Sequence, residues 1–187
     1  MNNYMPCHQY QRDKAAEFDF PILNVACKED PAHLGLDFDA TNVDIEDYDI
    51  ETDTDLYSVP NFQRMSALCL TFQPRTFAHI IIGELLEHCT IKAARIVLRE
   101  AYRVLTRTGK LTLTFPQDKR TPRQQRPANE LVTYCDGIVS WHQTVWSDEM
   151  LEELFAVVDF KELKQHRKVL DYDICRCKGL GIVLAKI

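Results

Sequence analysis

Three successive isoleucines, Ile80-Ile81-Ile82, stand inside the run Phe77-Ala78-His79-Ile80-Ile81-Ile82-Gly83. A short, unbroken apolar run of this kind reads as a strand with two apolar faces, and both faces must be covered. Strands like this belong to parallel sheets layered with helices. The neighbouring segments fit that frame. Pro21–Ala26 is a short apolar run bounded by proline, which reads as a buried strand. Cys27–Leu36 reads as a loop with at most a short helix, because Pro31 suits a first helical turn and Gly35 would soon end it. Ala40–Ile45 is a second strand, with Asp44 at its end, and Asn61–Met65 is a weak third.

After the central strand comes the clearest helix. Ala94, Val97, Leu98, Ala101, Val104 and Leu105 recur at helical spacing and form one apolar stripe. Thr90 is placed to cap its start. Arg103 and Arg107 suit the negative end of its dipole, and Gly109 can supply a left-handed stop. Lys110–Phe115 then alternates, with Leu111, Leu113 and Phe115 set against Thr112 and Thr114, the period of a strand. Gln117–Asn129 is polar, basic and proline-bearing, and reads as a loop. Ser147-Asp148-Glu149 opens a further helix whose stripe is Met150, Leu151, Leu154, Phe155 and Val158. Phe160–His166 and Asp173–Lys186 read as two closing strands, paired antiparallel at one edge. The expectation is a three-layer α/β sandwich: a mostly parallel seven-stranded sheet with a final antiparallel strand pair. No internal repeat is visible. Residues 1–187 read as a single domain, with 1–20 as an N-terminal extension or helix and 117–146 as a loop or lid.

Charge and cysteine usage narrow the function. The net charge of −6 argues against a general nucleic-acid binder. It is unevenly spread: Asp37–Asp55 holds nine acids and no Lys or Arg, and Lys119–Arg126 holds four bases and no acid. The acidic run lacks the turn glycine and spaced terminal Glu of a calcium loop, so it reads as a solvated loop or irregular helix. The basic stretch, with Lys119, Arg120, Arg123 and Arg126, has no interleaved aromatics to stack bases and reads as a surface loop. The seven cysteines form no Cys-x-x-Cys pair, and most lie in apolar stretches, as reduced buried thiols do. No zinc or other metal site is expected. No apolar run approaches the ~20 residues of a membrane span. Met1–Tyr10 lacks the apolar centre of a signal peptide, so a cytoplasmic location is expected.

The ordered set of segments carries the chemistry. A strand ends in a tight loop, and a second strand ends in an acid. The central strand ends in Gly83-Glu84-Leu85-Leu86-Glu87-His88. A helix with Leu98-Arg99-Glu100-Ala101-Tyr102-Arg103-Val104-Leu105 leads to Gly109-Lys110-Leu111-Thr112-Leu113-Thr114-Phe115-Pro116. Over Ile22–Pro116, and in its tail around Trp141-His142 and Val145–Glu149, the chain resembles the class I S-adenosylmethionine-dependent methyltransferases, in particular the group with small-molecule, lipid or sugar substrates.

The resemblance implies S-adenosylmethionine as cofactor and a small-molecule or sugar-like acceptor. It implies Asp44 on the ribose hydroxyls, with Ile45 beside it, and Ser66 and Ala67 near the adenine. The first loop, Ala26-Cys27-Lys28, and the turn Gly83-Glu84 would then face the methionine end. Glu84 and His88, four apart, would lie at the active cleft, with His88 as candidate base. His142 is a second candidate for acceptor contact; His33 and His79 read as structural. The first loop departs from the family, because Ala26, Lys28 and Asp30 stand where glycines are expected. Lys28 either pairs with the cofactor carboxylate, with Glu29 or Asp30 taking its amino group, or fills the pocket. Ser66 replaces an acid that usually meets the adenine amine, and Ala78 an acid early in the central strand. A non-catalytic binding or scaffolding relative is the alternative reading. A nucleic-acid methyltransferase is disfavoured by the acidic balance, and a nicotinamide oxidoreductase by the lack of Gly-x-Gly-x-x-Gly after the first strand. Self-association of the chain stays open.

Overall fold

The computed structural model describes residues 6–26, 40–45, 48–49, 54–55, 60–116, 131–133, 139–141, 144, 146–172 and 177–187. Helix α1 (Pro6–Glu17) is followed by β1 (Ile22–Val25), β2 (Thr41–Asp44), β3 (Tyr48–Asp49), β4 (Thr54–Asp55), β5 (Phe62–Arg64) and β6 (Phe77–Gly83). A 3-10 turn (Leu86–His88) leads into α2 (Ile91–Val104) and β7 (Leu105–Pro116). Then come β8 (Leu131–Thr133), β9 (Val139–Trp141), α3 (Asp148–Val157), β10 (Phe160–Glu162), β11 (Lys168–Tyr172) and β12 (Cys177–Lys186).

The main sheet runs β10-β12-β7-β6-β1-β2-β5, with β11 also paired to β12. The pairs β5/β2, β2/β1, β1/β6 and β6/β7 are parallel, and β12 is antiparallel to β7, β10 and β11. The chain leaves β1 in one direction for β2 and β5, and in the other for β6 and β7. The carboxyl ends of β1 and β6 therefore form a topological switch point.

Both faces of β6 are covered, as its isoleucines require. Ile80 and Ile82 join the large core formed with α2 and α3, whereas Ile81 packs with Ala15 of α1. The two-residue period explains the division. Leu111, Leu113 and Phe115 of β7 and Leu180, Ile182 and Leu184 of β12 enter the α2–α3 core. The opposite face is more polar: His79 meets Thr112, and Gln11 of α1 donates to Thr114 Oγ1 at 2.5 Å. Thr112 and Thr114 are thus buried despite the alternation, because His79 of β6 and Gln11 of α1 give them polar partners. Gly181 leaves room on this face for the Tyr10 ring, which a Cβ there would approach to 2.8 Å.

The two predicted caps are present: Thr90 accepts from the Ala93 N–H, and Ser147 from the Met150 N–H. Gly109 is not a helix stop. Helix α2 ends at Val104, and Leu105 is already extended. The carbonyls of Arg103 and Val104 accept from the N–H groups of Arg75 and Thr76, so the helix end needs no left-handed residue. Gly109 lies inside β7, where a Cβ would come within 2.8 Å of the Ala78 carbonyl oxygen. The chain between Asp44 and Asn61 carries a short hairpin, β3 with β4, where a loop or irregular helix was expected. A second pair, β8 with β9, falls inside the stretch expected to be loop or lid. The closing strands are three, because β11 intervenes, and β12 lies between β7 and the edge.

Candidate functional site

Asp44 is 6% exposed at the end of β2, beside a cleft of about 270 Å³ at the carboxyl ends of β1, β2 and β5. Its walls come from four places in the sequence. Val25 and Ala26 close β1, Asp44 and Ile45 close β2, and Met65–Leu68 follow β5. Leu85 and His88–Thr90 follow β6, joined by Ala93 and Val97 of α2.

Backbone hydrogen bonds fix the floor. The Ala26 N–H donates to the Val43 carbonyl at 2.9 Å, and the Met65 N–H to the Asp44 carbonyl at 2.6 Å. Below them, the buried Asn24 side chain donates to Asn42 Oδ1 at 3.0 Å and ties β1 to β2. The wall at 65–68 is held from behind. Arg103 of α2 donates to the carbonyls of Leu70 and Phe72 at 2.5 and 2.7 Å, and Glu100 accepts from the Leu70 N–H at 2.8 Å. The Arg103 hydrogen bond holds the Glu100 carboxyl below the usual carboxylate range.

Of the residues expected at a cofactor site, Ala26, Asp44, Ile45, Ser66 and Ala67 line this cleft, and so does His88. Gly83 and Glu84 adjoin it without lining it; the Glu84 N–H donates to the Thr114 carbonyl at 2.9 Å. Cys27 and Lys28 lie outside the described residues, as do Glu29, Asp30, His33, His142 and the basic stretch 119–126. His79 is fully buried in the sheet on the α1 face, the structural role expected of it. Met65, Leu68, Cys89, Ala93 and Val97 were not anticipated. The 90, 93, 97 spacing places Thr90, Ala93 and Val97 on one side of α2, and that signal was available in the sequence.

Ala26 has φ 59°, in the left-handed region. That conformation costs an L-residue ~1–2 kcal/mol, part of which glycine would give back through its freer unfolded chain. Ala26→Gly is expected to raise stability by ~0.5–1 kcal/mol, read as a higher urea midpoint with unchanged slope.

His88 Nε2 is 3.9 Å from Glu87 Oε1; the Glu87 side chain is 2% exposed and that of His88 39%. His88 thus lines the cleft with the buried Glu87 carboxylate beside it. Cys89 differs: burial, aided by Glu87, pushes its thiol up to about 11. It stays protonated at neutral pH. An acid at the end of a strand, an apolar slot between Leu68, Leu85 and Val97, and a histidine at the rim suit a nucleoside with a reactive end near a second substrate.

Comparisons with known proteins agree with this geometry. Residues 23–113 match the profile of the family described as methyltransferase domain. Among solved structures, a SAM-dependent methyltransferase from Methanosarcina mazei is 18% identical, with a TM-score of 0.69 over 89% of this chain and 92% of that one. The 1,6-didemethyltoxoflavin-N1-methyltransferase of Burkholderia thailandensis, crystallised with 1,6-didemethyltoxoflavin and S-adenosylhomocysteine, is 12% identical, with a TM-score of 0.70 over 98% and 79%. The [4+2]-cyclase SpnF is 14% identical, with a TM-score of 0.65 over 94% and 80%. At these identities the likeness is one of fold. No curated protein matches in sequence.

Proposed function

We propose that this chain, whose residues 23–113 match the family described as methyltransferase domain, binds S-adenosylmethionine in the cleft beside Asp44 and methylates a small-molecule acceptor. The observation that carries the reading is Asp44, a nearly buried carboxylate at the end of β2 that lines the cleft. A carboxylate there accepts hydrogen bonds from both ribose hydroxyls. The apolar surfaces of Leu68, Leu85 and Val97 suit an adenine ring, and Ser66 offers a hydroxyl to its edge. The methionine end then points toward Ala26 and the Gly83-Glu84 turn. The described residues of the cleft therefore fit the cofactor.

Bound cofactor supplies a methyl group already activated on a sulfonium. The protein's task is to orient an acceptor in line and, where the acceptor carries a proton, to remove it. His88, at the cleft wall with Glu87 behind it, is assigned that proton. SpnF, a cyclase with a similar fold, illustrates that the fold alone does not dictate methyl transfer.

The test is release of S-adenosylhomocysteine when the protein meets S-adenosylmethionine and a small-molecule extract or a panel of hydroxyl and amine acceptors. Acceptor-dependent release is expected, falling ~10²–10⁴-fold in His88→Ala with cofactor affinity kept, the range for loss of a general base. Acceptor-dependent release that is the same in His88→Ala would remove His88 from the chemistry. Cofactor binding with no release from any acceptor would favour a binding module, a reading that the Ala26 methyl at the cleft already gives some support.

A further inference from the structure

The turn that presents His88 is held from outside by residues far along the chain. The 3-10 turn Leu86–His88 has no side-chain cap of its own. The Leu86 carbonyl accepts from the Trp146 indole N–H at 2.9 Å, in addition to the Cys89 N–H. The Glu87 carbonyl accepts from the Thr144 N–H at 3.1 Å. The Cys89 carbonyl accepts from the Thr144 hydroxyl at 2.6 Å. Thr144 and Trp146 are each 1% exposed. Ser147, next in sequence, caps α3, whose Leu151, Leu154 and Phe155 are in the core, so the strap is anchored at that end.

Successive side chains of a 3-10 turn point about 120° apart. The rotational setting of this turn therefore decides which side chain enters the cleft. His88 lines the cleft and Glu87 is buried behind it. A rotation of one residue would exchange a base for a carboxylate and move Leu85, Cys89 and Thr90, which share the same wall.

We infer that Thr144 and Trp146 are positioning residues: they set the register of the 85–90 wall and thereby aim His88 at the acceptor. The inference rests on the proposed function for its catalytic consequence, but the aiming of His88 can be read without any cofactor. The experiment is a comparison of Thr144→Val, Thr144→Ser, Trp146→Phe and the parent protein. Histidine ring resonances and their pH titration are followed by NMR in the unliganded protein, alongside S-adenosylhomocysteine affinity by calorimetry.

Thr144→Val and Trp146→Phe are expected to shift the His88 ring signals and titration midpoint, and to weaken S-adenosylhomocysteine about tenfold. Thr144→Ser, which keeps the hydroxyl, should restore both. Folded Thr144→Val and Trp146→Phe proteins that melt earlier but leave the His88 signals and titration unchanged would overturn the inference. If the parent protein binds no S-adenosylhomocysteine, the proposed function fails instead, and the His88 signals still decide the positioning role.

Discussion

Stability is expected to fall by about 2 kcal/mol between pH 7 and pH 5 on account of one imidazole, that of His79. His79 lies fully buried on the α1 face of β6. Burial, aided by the Lys14 ammonium nearby, holds its pKa down at about 3 against an ordinary 6.5. Its Nε2 is 2.9 Å from Thr112 Oγ1, and Nδ1 has no partner. Assigning the proton to Nε2 leaves only a lone pair unmatched, which costs less than an orphaned N–H. The edge of the Phe18 ring packs on the imidazole, with centroids 5.1 Å apart.

The direction follows from proton binding. Below pH 6.5 the unfolded chain takes up a proton at this residue and the folded chain does not. Stability is therefore complete above about 6.5, falls as the pH drops, and levels off near 3, where the folded protein also binds the proton. Carboxylates titrate lower in the same range, so the comparison that isolates His79 is with His79→Phe. Urea midpoints for that variant should be flatter between pH 7 and pH 5. Equal slopes in the two proteins would show that His79 is not held neutral by its burial.

The second large effect concerns the cleft. Asp44→Ala is expected to weaken S-adenosylhomocysteine by ~1–3 kcal/mol, about fivefold to 150-fold, the worth of hydrogen bonds to a charged acceptor. The main-chain bond at this position, the Asp44 carbonyl accepting from the Met65 N–H, does not depend on the side chain and is kept in the variant. Asp44→Asn keeps the shape and loses the charge; its affinity should fall between those of the other two. Thermal melts of all three proteins check that each is folded.

Much of this architecture could be read from the sequence where burial follows periodicity. The isoleucines of β6 demanded cover on both faces, the stripe of α2 was plain, and Thr90 and Ser147 cap helices as their positions suggested. Asp44 could be placed because its strand ends there. Helix α1 was less legible, since its buried side is Cys7, Tyr10, Gln11 and Ala15, with no apolar stripe to betray it. The same polar face hid the burial of Thr112 and Thr114. Gly109 misled because glycine serves both as a helix stop and where two backbones crowd together. The strap at Thr144 and Trp146 joins positions 55 to 60 residues apart through main-chain carbonyls, which carry no side-chain signature.

Calorimetric titration with S-adenosylmethionine and S-adenosylhomocysteine, on the parent protein and on Asp44→Ala, tests the central claim most directly. The account predicts saturable binding of both ligands to the parent protein, weakened at least fivefold in the folded variant. A folded parent protein that binds neither ligand, or an Asp44→Ala protein that binds both as tightly as the parent, would contradict it.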